Sequence, residues 1–156
     1  MSMSNKNTLV NYTTEISVEK TVDEIIKLLF DKGASSISMD KSTDGEPKAV
    51  RFSFPFPAIQ QQFINYRIEA NWQGALEAMK KKTDVASRYC NPTQAKRTTW
   101  RTILYWIQMQ IGMSEMMQGQ IEQMFFSHAI NADSGNFVCL ELIEFRQKQL
   151  TEGKNE

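Results

Sequence analysis

The sequence predicts an α+β fold. It consists of a four-stranded, mainly antiparallel sheet in the order β-α-β-β-β with the N-terminal helix packed on it, then a C-terminal helical part built on one long helix. Three observations predict it. Apolar residues alternate with polar ones over much of residues 12–70, as in strands with one wet face. One stretch in that region switches to spacings of three and four. From Asn91 the helical period then holds to about Met117. A length of 156 residues suits one domain spanning 1–150, with the sheet and first helix in 9–70, the helical part in 91–150, and a disordered tail at 151–156.

Tyr12, Thr14, Ile16 and Val18 alternate as a first strand. Thr21-Val-Asp-Glu24 then has the pattern of a capping box, so a helix is expected from about Val22, with Val22, Ile25, Ile26 and Leu29 on its buried side. Gly33 stands where a left-handed residue ends a helix. Ser35–Met39 and Val50–Phe56 flank the turn signal Asp44-Gly45 and predict a hairpin. Pro55 and Pro57 cannot donate to a ladder, so the second strand stops there or runs along an edge. Ile64, Tyr66 and Ile68 share one face of a further strand, and residues 72–82 have helical composition.

Asn91-Pro-Thr-Gln94 opens the long helix, with Asn as cap, Pro at the first position and Gln able to reach back. Trp100, Ile103, Leu104, Ile107 and Ile111 form one apolar face, and Trp106, Met109, Met113 and Met116 a second. Such a helix is expected at the centre of the fold or in a homo-oligomer seam. Past Gly119, Ile121, Met124, Phe125 and His128 keep helical spacing to about Ala132, and Asp133–Asn136 turns the chain. Residues 137–150 fit a helix or a strand equally well.

Composition excludes several classes. The chain has no apolar run long enough to span a bilayer and no secretory signal, so a cytoplasmic protein is expected, with no membrane partner. Cys90 and Cys139 are too few for a disulfide scaffold. One histidine, His128, and two distant cysteines do not supply the ligand set of a zinc site, so no metal is expected. No glycine-rich dinucleotide or phosphate loop is present, and no cofactor is expected. His128 lies among apolar residues, as a packed histidine does, and the pairs Asp23–Glu24 and Glu141–Glu144 suit a helix start and a solvated face. No catalytic constellation emerges, so a non-enzymatic protein is expected.

Charge is what the sequence does place. Lys+Arg and Asp+Glu both number 18, yet residues 80–101 hold seven basic side chains against Asp84 alone, a net +6, and residues 115–156 carry a net −4. Arg97 and Arg101, one helical turn apart, are the candidate phosphate-binding residues, because guanidinium geometry suits phosphate oxygens, with Arg88 and Lys96 in support. Trp100 and Tyr105 interleave with them as candidate stacking rings.

The segments Ile16–Ile25, Lys32-Gly-Ala34, Val50–Phe54, Gln94-Ala-Lys-Arg-Thr-Thr-Trp-Arg101 and Trp106-Ile-Gln together resemble a widespread family of small phage and prophage proteins without an assigned activity. The resemblance covers most of residues 12–130 and departs after Phe125, where Phe126-Ser-His128 stands in place of a leucine- and proline-containing segment. It implies an accessory phage protein in an infected bacterial cytoplasm and transfers no catalytic residue. From the +6 segment interleaved with aromatic rings, the expected function of such a protein is binding of nucleic acid or a nucleotide-derived anion, including sequestration of a host defence signal. The alternative is a protein-interaction or scaffold module that self-associates through its long helix or inhibits a host protein.

Overall fold

The computed structural model describes residues 8–56, 59–117 and 120–152. The expectations for residues 1–7, Pro57, Gly119 and residues 153–156 lie outside them. The helices are α1 (Val18–Asp31), α2 (Trp72–Lys81), α3 (Pro92–Met116), α4 (Ile121–Met124) and α5 (Val138–Glu152), and the strands are β1 (Ser36–Lys41), β2 (Pro47–Pro55), β3 (Phe63–Glu69) and β4 (Ala129–Ile130). The chain divides into two compact units, Met1–Leu28 with Glu69–Gln108, and Leu29–Ile68 with Met109–Glu156.

In the first unit the segment after Leu9 is a turn, with Asn11 at φ 67°, and not the first strand of the sheet. Its carbonyls are taken by α3: the Gln94 side-chain amide donates to Tyr12 O at 2.9 Å and Thr14 O at 2.8 Å, and Thr98 Oγ1 donates to Asn11 O at 3.3 Å. Gln94 thus serves the N-terminal segment and does not reach back to its own cap. Helix α1 starts at Val18, ahead of the expected Val22, because Ser17 Oγ accepts from Lys20 N at 3.2 Å. Thr21 instead donates its hydroxyl to Ser17 O at 3.1 Å. Asn71 and Asn91 cap α2 and α3 by accepting from Gly74 N and Gln94 N at 3.0 and 2.9 Å. Met79, Val85 and Ala95 form a small core, with Leu9, Tyr12, Trp72 and Tyr89 packed around it.

In the second unit, Ser36↔Ser53 and Ile37↔Phe52 set the antiparallel hairpin register, and Gly45 takes the left-handed turn position at φ 82°. The sheet order is β1-β2-β3-β4. Its fourth strand is Ala129–Ile130, paired with Asn65 and Tyr66. The expected helix to Ala132 breaks up accordingly into α4, a 3₁₀ turn over Phe126–His128, and β4. Residues 137–150, for which helix and strand were equally open, form most of α5.

Val50, Phe52, Phe54, Tyr66 and Ile68 are buried on one sheet face, while Arg51 and Asn65 are exposed on the other. Phe52 stacks on Tyr66 with ring centroids 5.3 Å apart and meets Phe125 edge-on at 5.5 Å. The Tyr66 hydroxyl within this cluster has no hydrogen-bond partner among the described residues. Burial, with a smaller push from Glu122, raises its pKa to about 12. Tyr66→Phe removes an unsatisfied polar atom and keeps the ring. It is therefore expected to raise unfolding stability by about 1 kcal/mol in a denaturant titration, whereas a comparable loss would mean the hydroxyl has a partner.

Candidate functional site

Two surfaces carry chemistry, one in each unit. In the first, the end of α2, a 3₁₀ turn (Ser87–Tyr89) and the first turns of α3 present the basic segment. Lys80, Lys81 and Arg88 are exposed, and Lys96 and Arg97 are partly so. The Arg88 guanidinium lies 4.8 Å from the Tyr89 ring centroid and donates to the Tyr89 hydroxyl at 3.1 Å. Lys96 Nζ sits 5.0 Å from the Trp72 ring. These cation–π contacts hold charges flat against half-buried rings and pre-order them. Arg97 makes no hydrogen bond or ion pair among the described residues.

Two of the expected contacts are corrected. Arg101 is buried: its Nη1 donates to Glu24 Oε2 at 2.9 Å and Thr21 Oγ1 at 3.3 Å, and its buried Nε finds no acceptor among the described residues. A guanidinium already desolvated and paired with a carboxylate has little left for a phosphate. Trp100 is only 2% exposed, so neither ring face is open to a base. Tyr105 is 45% exposed with the Arg101 guanidinium 5.6 Å from its centroid. The structure therefore leaves Arg88, Lys96, Arg97 and Tyr105 at the surface. The four-residue spacing from Arg97 to Arg101 put both on one helical stripe, but it did not show that Glu24 would claim the second.

The second unit carries most of the exposed large apolar side chains. Among the described residues, every exposed large hydrophobic side chain except Val10, Ile26 and Tyr105 belongs to it. They include Phe63, Phe126, Met109 and Met116, and Leu142, Ile143, Phe145 and Leu150 of α5. The second apolar face expected on the long helix is open to water at Met109 and Met116 instead of filling a core, and α5 adds further exposed apolar residues. A cleft of about 600 Å³ opens on this unit, lined by Phe56, Ile64, Gln123, Phe126, Ala129 and Val138 with Glu122 as its one charged residue.

The wet sheet face holds a charge cluster. Arg51 Nε donates to both Asp40 oxygens at 2.9 Å, and Arg67 Nε to one at 3.2 Å. Burial works to raise the Asp40 pKa, but the hydrogen bonds and charges of the two arginines outweigh it and hold the carboxyl below its usual range. Glu141, expected on a solvated face, accepts from the Ser134 hydroxyl and from Asn131 Nδ2 at 2.8 Å, and these bonds lower its pKa. It clamps the turn that precedes α5. Ser127 Oγ and His128 Nδ1 are 2.9 Å apart, and the His128 ring stands edge-on to Phe137. Burial lowers the His128 pKa, which favours the neutral imidazole.

Cys90 and Cys139 are both free thiols. Among the described residues, no group of three or more His, Cys, Asp or Glu is placed to hold a metal ion, and no helix is long and apolar enough to cross a membrane. No family model, curated protein or solved structure matches the chain.

Glu24→Gln leaves the Arg101 guanidinium buried without its counter-charge. It is expected to lower stability by about 1–3 kcal/mol, the part-exposed carboxylate keeping the loss below that of a fully buried pair. A thermal melt matching the wild type would show that Arg101 does not depend on Glu24.

Proposed function

We propose that this protein is a non-enzymatic interaction module that takes a protein partner on the apolar surface of its second unit. The observation that carries the reading is the concentration of exposed Phe, Met, Leu and Ile side chains there. Contiguous apolar surface is costly to leave in water, and on soluble proteins it marks a binding face. Methionines at the end of α3 add adaptability, since an unbranched thioether repacks against different shapes. The family resemblance supports an infected bacterial cytoplasm as the setting, with a host protein or a second copy as partner.

The test is affinity capture with the full chain, comparing wild type with Phe63→Ser plus Phe126→Ser at low and high salt. A protein partner retained in stoichiometric amount at high salt and lost from the double variant is expected, because apolar association is insensitive to screening. A partner released by salt or nuclease, and unaffected by the substitutions, would contradict the reading.

A second reading rests on the first unit, where Arg97 has no ionic partner among the described residues and Arg88, nine positions earlier, is exposed against the Tyr89 ring. A polyanion lying across Arg88, Lys96 and Arg97, with Tyr105 open for stacking, is the form of nucleic-acid binding that remains. Arg97→Glu is expected to weaken binding of a labelled single-stranded oligonucleotide about tenfold and to reduce the slope of log affinity against log salt by about one. Equal anisotropy curves for both proteins would remove this reading.

A further inference from the structure

Helix α5 poses a problem that its own chain does not solve. Every residue from Leu142 to Thr151 is exposed, yet four of them are Leu142, Ile143, Phe145 and Leu150, with Phe145 60% exposed. Isolated helices shorter than about 12–15 residues are marginal in water, so a segment of this length needs packing to persist. Only the root of the helix is anchored, through Val138, Cys139 and the Glu141 clamp on the preceding turn.

The same unit holds the complementary feature. Its cleft of about 600 Å³ is apolar apart from Glu122 and Gln123, and Glu122 makes no hydrogen bond or ion pair among the described residues. Clefts of roughly 300–1,000 Å³ enclose ligands or several side chains. Val138 lies in the wall of this cleft, so α5 departs from its rim. A continuous helix cannot double back onto the site at its own root. The apolar residues from Leu142 onward line no part of the cleft in their own chain, and the cleft of another copy is open to them.

We propose that the cleft of one copy receives the exposed half of α5 from a second copy, and that the exchange is reciprocal across a two-fold axis. Leu142 and Phe145, three residues apart on one side of the helix, enter the apolar wall. Arg146, one helical turn after Leu142, meets Glu122. Charge complementarity supports this occupant: the cleft's one charge is acidic, while from Leu142 to Thr151 the helix carries Arg146 and Lys148 against Glu144, a net positive charge. Two-fold symmetry makes each contact occur twice, so a modest patch is doubled without further sequence requirement. The seam is then α5, not the long helix. The proposal rests on the protein-partner reading above and names that partner as the chain itself.

The test measures the mass of the full chain by sedimentation or native mass spectrometry over a dilution series. Wild type is expected as a dimer, and Phe145→Glu is expected to weaken self-association about a hundredfold, as loss of a central aromatic anchor does. Phe145 is 60% exposed, so the variant is expected to keep the fold, which circular dichroism checks. Glu122→Lys and Arg146→Glu are each expected to weaken the dimer about tenfold, and the double variant to regain most of that loss.

A wild-type monomer at all concentrations, or a dimer indifferent to Phe145→Glu, would overturn the proposal. A monomer that still captures a different protein through Phe63 and Phe126 would overturn this inference and leave the protein-partner reading standing, whereas a monomer that captures none would remove both. A monomer that takes up a small apolar molecule in the cleft assigns the site to that ligand and also overturns the exchange.

Discussion

The second unit depends on the packing of Phe52, Phe54, Tyr66 and Phe125, which brings rings from β2, β3 and the end of α4 onto one sheet face. Phe125 is fully buried, and the three strand residues can meet it only if their register is held, since a one-residue slip would turn each of them to the wet side. Placing Phe125 there also sets where the next residues go. Ala129 and Ile130 pair with β3, Asn131–Asn136 turns under the Glu141 clamp, and α5 starts at Val138. With the sheet's apolar face occupied by these rings, no equivalent face is left for Phe63, Phe126 or the apolar residues of α5. The exposed apolar surface follows from how this core is filled.

Much of this was legible in the sequence because it rests on local rules. Asp44-Gly45 fixed the hairpin, Gly33 ended α1 at φ 95°, and Asn91 opened α3. What was misread depends on partners distant in sequence. Tyr12–Val18 alternates as a strand does, yet its carbonyls are taken by Gln94, about eighty positions on. Thr21 and Glu24 have capping-box spacing, but Ser17 caps the helix and frees both side chains to meet Arg101. Residues 121–132 have helical spacing, but β3 offered an open edge that β4 fills.

The candidate site was less legible for the same reason. A net positive run in sequence does not say which of its members face water, and burial removed Trp100 and Arg101 while leaving Arg88, Lys96 and Arg97 at the surface. Conversely, α5 passed as an ambiguous segment, because its apolar residues fit two periodicities and exposure cannot be read from either. Methionines near the end of α3 suit a core as well as a surface in sequence, and only the fold shows Met109 and Met116 in water. The other exposed apolar residues of the second unit lie mostly on α5.

Whether another protein molecule covers the exposed half of α5 in solution decides how that helix persists. Amide hydrogen exchange followed peptide by peptide tests this directly, since a helix touching nothing exchanges at rates set by fraying, whereas one seated in a partner opens only with that partner. Protection across Leu142–Leu150 that is strong in concentrated protein and lost on dilution is predicted. Fast exchange there at every concentration, with the β2–β3 amides protected as usual, would contradict it.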